Sequence, residues 1–184
     1  MTAFLRYLGI LNAAIWLGAA VFLMIGLPAV FSQHFKDAIA KAGLERAPYL
    51  VPVPGWAAQL IFARYFVLQY VCCGVALAHL LLECLYCGKA LLQRNLGILV
   101  FLSGLALAGG LWMQPKLINL NSLKYYGTTA AIQQSADHSF KAWHGISEIG
   151  NLVAIGGLLY YLWRLTLATE PARYGSMNLD KVRG

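Results

Sequence analysis

Four long apolar runs decide what this chain can become: Leu8 to Phe31, Phe62 to Tyr86, Leu96 to Met113 and Ile146 to Leu167. A helix rises about 1.5 Å per residue, so roughly 20 apolar residues cross a hydrocarbon core about 30 Å thick. Each run is long enough or nearly so. Lipid offers no hydrogen-bonding partners, so a spanning segment must satisfy its own backbone, which leaves helices or closed barrels. Barrel strands alternate apolar and polar residues over about ten positions. The stretch Gly97 to Met113, GILVFLSGLALAGGLWM, does not alternate. The expected fold is therefore all-α, a four-helix bundle embedded in a membrane. The runs take up roughly half of the 184 residues, so the expectation is one membrane domain over 1–184.

The first run is longer than the h-region of a signal peptide, about 7–15 residues, and no A-x-A-like site follows it, so it is expected to be retained as an anchor. Only 11% of the residues are charged, against about a quarter in soluble domains. The formal net charge is +7, but the basic residues are scattered between the runs and mark topology and anionic headgroups rather than nucleic acid. An even number of spans puts both termini on one side, together with the short, dense connection carrying Lys89 and Arg94. Charge density favours that side as the inside, here the cytoplasmic face of a bacterial inner membrane.

Two long connections, Ser32 to Gln59 and Gln114 to Ala142, then lie outside. Phe35, Ala38, Ile39 and Ala42 recur at helical spacing, as in an amphipathic segment lying in the interface. Leu117, Leu120 and Leu123 give the second connection the same character. Pro28, expected to end the first span, and Trp56, before the second, are matched 87 residues later by Pro115, expected to end the third span, and Trp143, before the fourth. Duplication about an axis along the membrane normal would produce that offset, and so would coincidence.

Polar residues within spans are costly and carry most of the information. Cys72, His79, Glu83 and Cys87 fall near one stripe of the second span; His144, Ser147, Glu148 and Asn151 share a face of the fourth. Two histidines on neighbouring helices raise a bis-histidine haem, but they lie at very different depths, so one porphyrin cannot be ligated by both. Cys72, Cys73, Cys84 and Cys87 with His79 raise copper or zinc; cysteines also simply fill helix contacts, and four on one helix suit disulfides poorly. His34, His138 and His144 near span ends could converge on an ion or be merely solvated. Trp16, Trp56, Trp112, Trp143 and Trp163 fit an aromatic belt, and Gly104, Ala106, Ala108, Gly109 and Gly110 give the third span a surface for close helix packing. There is no phosphate loop, nucleophile elbow or zinc-protease motif, so no enzyme is expected.

Trp16-Leu17-Gly18 with Pro28-Ala29-Val30-Phe31, Pro115, and Phe140-Lys141-Ala142-Trp143-His144-Gly145-Ile146-Ser147 with Asn151 together resemble the transmembrane protein 205-like family. These are four-helix membrane proteins of bacteria and eukaryotes. The resemblance spans most of the chain, with His144, Ser147 and Asn151 its most specific part. It implies a four-helix fold and a role for the start of the fourth helix; it does not extend to Cys72, His79, Glu83 or Glu148. The expectation favoured by the sequence is a non-enzymatic accessory subunit, docked on other membrane-protein subunits or on copies of itself. The alternative is a binder or carrier of a metal ion, haem or another pigment, or of protons passed through Glu148 and Glu83.

Overall fold

A computed structural model describes residues 2–30, 53–87 and 92–167. It is all-α, with four helical rods long and apolar enough to cross a membrane: Phe4–Gly26, Gly55–Leu85, Asn95–Tyr126 and Ala130–Thr166. The first rod comprises α1 (Thr2–Val21), a π-helical segment (Phe22–Gly26) and α2 (Leu27–Val30); the second is α3 (Val53–Cys87). The third comprises α4 (Leu92–Leu107), a second π-helical segment (Ala108–Met113) and α5 (Gln114–Tyr126), and the fourth is α6 (Ala130–Thr166). Around the bundle α1 packs on α3 and α6, and α4 packs on the same two, so successive rods are neighbours in an up-down-up-down ring. The interfacial stripe Phe35, Ala38, Ile39 and Ala42 lies outside the described residues.

The bundle is apolar outside as well as in. Ile25, Leu60, Leu85, Leu111 and Ile149 are exposed, as lipid contact demands. Trp16, Leu99, Leu102, Leu158 and Tyr161 are fully buried between the rods. Helix ends are closed from within the chain. Arg6 donates to the carbonyls of Leu165 (3.2 Å), Thr166 (2.7 Å) and Leu167 (3.1 Å), putting a cation on the C-terminal carbonyls of α6. At the other end of α6 the Thr129 hydroxyl accepts from the Ile132 N–H at 3.3 Å as an N-cap.

The stretch 114–142 is helical, but not a loop with a helical segment in it. α5 continues the third rod and α6 begins only three residues later, so the two form a helical hairpin turned at Gly127–Thr129. α6 has 37 residues, about 55 Å of helix against a core of about 30 Å, so this hairpin projects well beyond the hydrocarbon. Its polar side chains interlock: Asp137 bridges Lys124 and Lys141 at 2.6 Å each, and the Lys116 ammonium lies 3.6 Å from the Trp143 ring centroid and 5.6 Å from that of Trp112.

Pro115 does not end the third rod, and the π-segment before it explains why. A proline in a regular helix clashes with the carbonyl four residues back. For Pro115 that carbonyl belongs to Leu111, and for Pro28 to Met24; both lie inside π-segments, where bonds run five residues back, as from Gln114 N–H to Gly109 O and from Leu27 N–H to Phe22 O. The wider turn makes room for the ring. The same device thus occurs in both halves. Ahead of it, buried Ala13, Trp16 and Ala20 recur 86 residues later as buried Leu99, Leu102 and Ala106. Behind it the offset becomes 87, because the second π-segment holds six residues and the first five.

Of the small residues expected to bring helices together, Ala106 is buried, and Gly109 and Gly110 lie against Phe66 and Tyr70 of α3, while Gly104 faces open space. Another close approach occurs at Gly9, where an added Cβ would sit 2.6 Å from Cε1 of the buried His79 ring. Gly9→Ala should therefore cost about 1–3 kcal/mol through overpacking. Gly104→Ala, with nothing within 4 Å of its Cβ, should leave stability unchanged or slightly raised. Thermal unfolding of the two variants in the same detergent checks the contrast.

Candidate functional site

α6 carries His144, Ser147, Glu148 and Asn151 at i, i+3, i+4 and i+7, which stacks them on one face. All four line a partly open cavity of about 510 Å³ between the rods, in the half of the bundle nearer the α5–α6 hairpin. Opposite them stand Trp16 of α1 and Gln59, Tyr65 and Gln69 of α3, and both π-segments contribute wall: Leu23 and Met24 from the first, Ala108, Gly109 and Met113 from the second. π-segments recur at functional sites because the extra residue re-aims neighbouring side chains and loosens local packing.

Asn151 acts as a latch. Its Oδ1 accepts from the Tyr65 hydroxyl at 2.8 Å and its Nδ2 donates to the Ala20 carbonyl at 3.0 Å, so one amide ties α6 to α3 and α1. With both ends engaged it is a structural tie within the cavity wall. His144 and Glu148 form an i,i+4 pair at 3.3 Å, both substantially exposed, and the His144 ring stacks on Phe140 with centroids 5.7 Å apart. That pair lies toward the hairpin end, seven residues or about 10 Å of helix from the Asn151 level.

Two lining residues have polar atoms without a partner among the described residues: the Trp16 Nε1–H, on a side chain 1% exposed, and both ends of the Gln59 amide. Buried polar groups are nearly always hydrogen-bonded, so such atoms call for a reason. The sequence pointed elsewhere for Trp16. It was expected in the aromatic belt and is instead in the core, whereas Trp112 and Trp163 are exposed as belt residues should be. Its position eight residues into the first apolar run is the signal that could have placed it. Gln59 and Gln69 were also overlooked; Gln59 lies well off the Cys72–His79–Glu83 stripe of α3, so that stripe gave no pointer to it.

The second set of candidates is not brought to this cavity. Cys72 and His79 are buried on α3, with the Cys72 carbonyl accepting from Asn12 Nδ2 at 3.0 Å, and Glu83 is half-buried; the Cys87 side chain lies outside the described residues. His79 follows Tyr65 along α3 while His144 precedes Asn151 on α6, which puts the two histidines, and likewise Glu83 and Glu148, roughly 30 Å apart along the bundle. Among the described residues no three His, Cys, Asp or Glu side chains gather as a metal site would need, and Cys72, Cys73 and Cys84 are free thiols. His138 is exposed, six residues from His144 and on a different face of α6; His34 lies outside the described residues.

Comparison with family models, with curated proteins and with solved structures returns no match to this chain.

Asn151→Ala should destabilise the bundle more than Tyr65→Phe, since it removes two interhelical bonds rather than one. Bonds of this kind average about 0.6 kcal/mol and reach about 1.7 kcal/mol in membrane bundles. In a double-mutant cycle on unfolding free energy in detergent–denaturant mixtures, the Tyr65–Asn151 coupling should be of that size.

Proposed function

We propose that this integral membrane protein binds a small, largely apolar molecule within the bilayer, as a carrier or receptor for it. The observation that carries this reading is the cavity: about 510 Å³, within the range of roughly 300–1,000 Å³ typical of small-molecule sites, mostly apolar, with a few convergent polar groups. The exposed apolar side chains on every rod are what lipid requires, so they single out no docking face for an accessory subunit. The motif that carries the resemblance to the transmembrane protein 205-like family contributes His144, Ser147 and Asn151 to the cavity wall, which supports giving that motif a role in binding. With both termini cytoplasmic, the orientation favoured by the charges, the His144–Glu148 end lies toward the outer face.

Gly150 supplies a clean test. It lines the cavity, and beyond its own helix backbone nothing lies within 4 Å of where its Cβ would stand, so a side chain can start there without a clash and a leucine extends into the open space. Organic extracts of protein purified in mild detergent should contain a small molecule at near one per chain, and Gly150→Leu should reduce it at least tenfold while the folded yield is maintained. Equal recovery from both proteins would sink the proposal. A visible spectrum and elemental analysis of the same samples separate an organic ligand from haem or a metal ion.

A further inference from the structure

The charges on the cavity wall specify the charge of what enters it, a step that rests on the binding reading above. The chain carries a formal net charge of +7, yet among the described residues neither lysine nor arginine lines the cavity. The lining groups that ionise near neutral pH are His144 and Glu148. With the His144 ring neutral the wall bears one net negative charge, and with it protonated none; in neither state is it positive. Asp137, farther out on the same helix, is neutralised by Lys124 and Lys141 at 2.6 Å each. Among the described residues no lysine or arginine pairs with Glu148, whose partner is His144 at 3.3 Å on its own helix. Its side chain is 58% exposed, so the carboxylate is within reach of a ligand. Glu148 also stands five residues, about 7 Å of helix, inward of Trp143. The Trp143 ring meets Trp112 edge-on at 5.2 Å and carries the Lys116 ammonium, as at the level of an interfacial aromatic belt. A carboxylate inside that level without a cationic partner is a mark of function.

We infer that the ligand is a hydrophobic organic cation, with its charged group against Glu148 and its apolar body among Phe62, Phe66, Leu102 and Leu105. An ion leaves water for such a cavity only where an opposite charge compensates its lost hydration. Glu148 supplies that charge to a cation, whereas an anion would meet an acidic wall with no lysine or arginine to receive it. One carboxylate matches one positive charge. A bare divalent metal ion would need a cage of oxygen, nitrogen or sulfur ligands, and among the described residues no three His, Cys, Asp or Glu side chains gather. The wall instead offers mostly apolar side chains, which suit a carbon-rich body. The fold does not need Glu148 for itself. Asn151 holds α6 to α1 and α3, while the His144–Glu148 contact stays within α6.

Two probes with matched bodies and opposite charges test this: para-butylbenzyltrimethylammonium and para-butylbenzenesulfonate. Each is titrated calorimetrically into the full chain in phosphatidylcholine nanodiscs, with empty nanodiscs subtracted, at mildly alkaline pH, which favours a neutral imidazole. The cation should bind more tightly than the sulfonate. Glu148→Gln keeps the side chain's size and can still accept from His144. It should weaken cation binding about fivefold to tenfold, between the effect of an exposed ion pair and that of a hydrogen bond to a charged group. Glu83→Gln removes an equal charge outside the cavity and should leave cation binding within about twofold. Gly150→Leu should abolish it. Should Glu148→Gln fold poorly, the wild-type preference for the cation still decides. Equal or tighter binding of the sulfonate, or cation binding unchanged in Glu148→Gln, overturns the cation assignment and leaves the cavity reading intact. An equal loss in Glu83→Gln overturns it too, since overall charge would then be the cause. Binding of neither probe overturns the assignment; recovery of a different molecule in the organic extracts then preserves the cavity reading, and its absence overturns that as well.

Discussion

Hydrocarbon cannot hydrogen-bond a peptide group, and nearly every feature of this protein descends from that constraint. It forces four rods, because only a helix satisfies a lone crossing segment. It removes the hydrophobic effect as a force between rods, since lipid is as apolar as leucine, so association depends on close packing and a few interhelical bonds. Close packing is visible where Gly9 meets His79 and where Gly109 and Gly110 meet Phe66 and Tyr70. Among the described residues the interhelical bonds are correspondingly few and placed where rods must be held in register: Asn12 to Cys72, Tyr65 to Asn151, Asn151 to Ala20, and Arg6 on the end of α6.

The cavity arises within that scheme. A bundle of uninterrupted helices with small residues at the contacts would close up, because nothing opposes van der Waals contact between rods. The two π-segments oppose it. Each inserts a wide turn into an odd-numbered rod, and each turn's residues form part of the cavity wall. The proline that follows makes the widened turn the better-tolerated local geometry, since a regular turn would set the Met24 or Leu111 carbonyl against the ring. In the terminal half of the bundle no such interruption occurs, and Leu99, Ala13 and Leu158 fill the space. A sequence pair, a wide turn and a proline, thus decides which half is hollow.

How much of this the sequence disclosed follows from what hydropathy measures. It measures where lipid contact ends, so the four crossings were legible. It does not measure where a helix ends, so the polar residues after Pro115 and before Ile146 looked like a loop although they continue both helices. Proline at 115 reinforced that reading, and only the π-turn cancels its usual meaning. The stripe His144, Ser147, Glu148 and Asn151 was legible because three- and four-residue spacing survives any packing. Their division of labour was not: Asn151 becomes a latch because Tyr65 and Ala20 happen to stand opposite. Trp16 was misassigned because a tryptophan's chemistry suits both the interface and the core, and depth within the run had to decide. The 87-residue offset was visible at two pairs only; the buried positions that repeat at 86 needed the structure to show which side chains are inside.

The two halves share a backbone device and differ in side chain. Tyr65 and Asn151 meet across the middle of the bundle. Two tyrosines would overfill that point, and two asparagines would be too short to bridge it and still reach a backbone carbonyl. A tyrosine facing an asparagine solves the geometry, because the tyrosine spans the gap and leaves the Asn151 amide able to reach the Ala20 carbonyl as well.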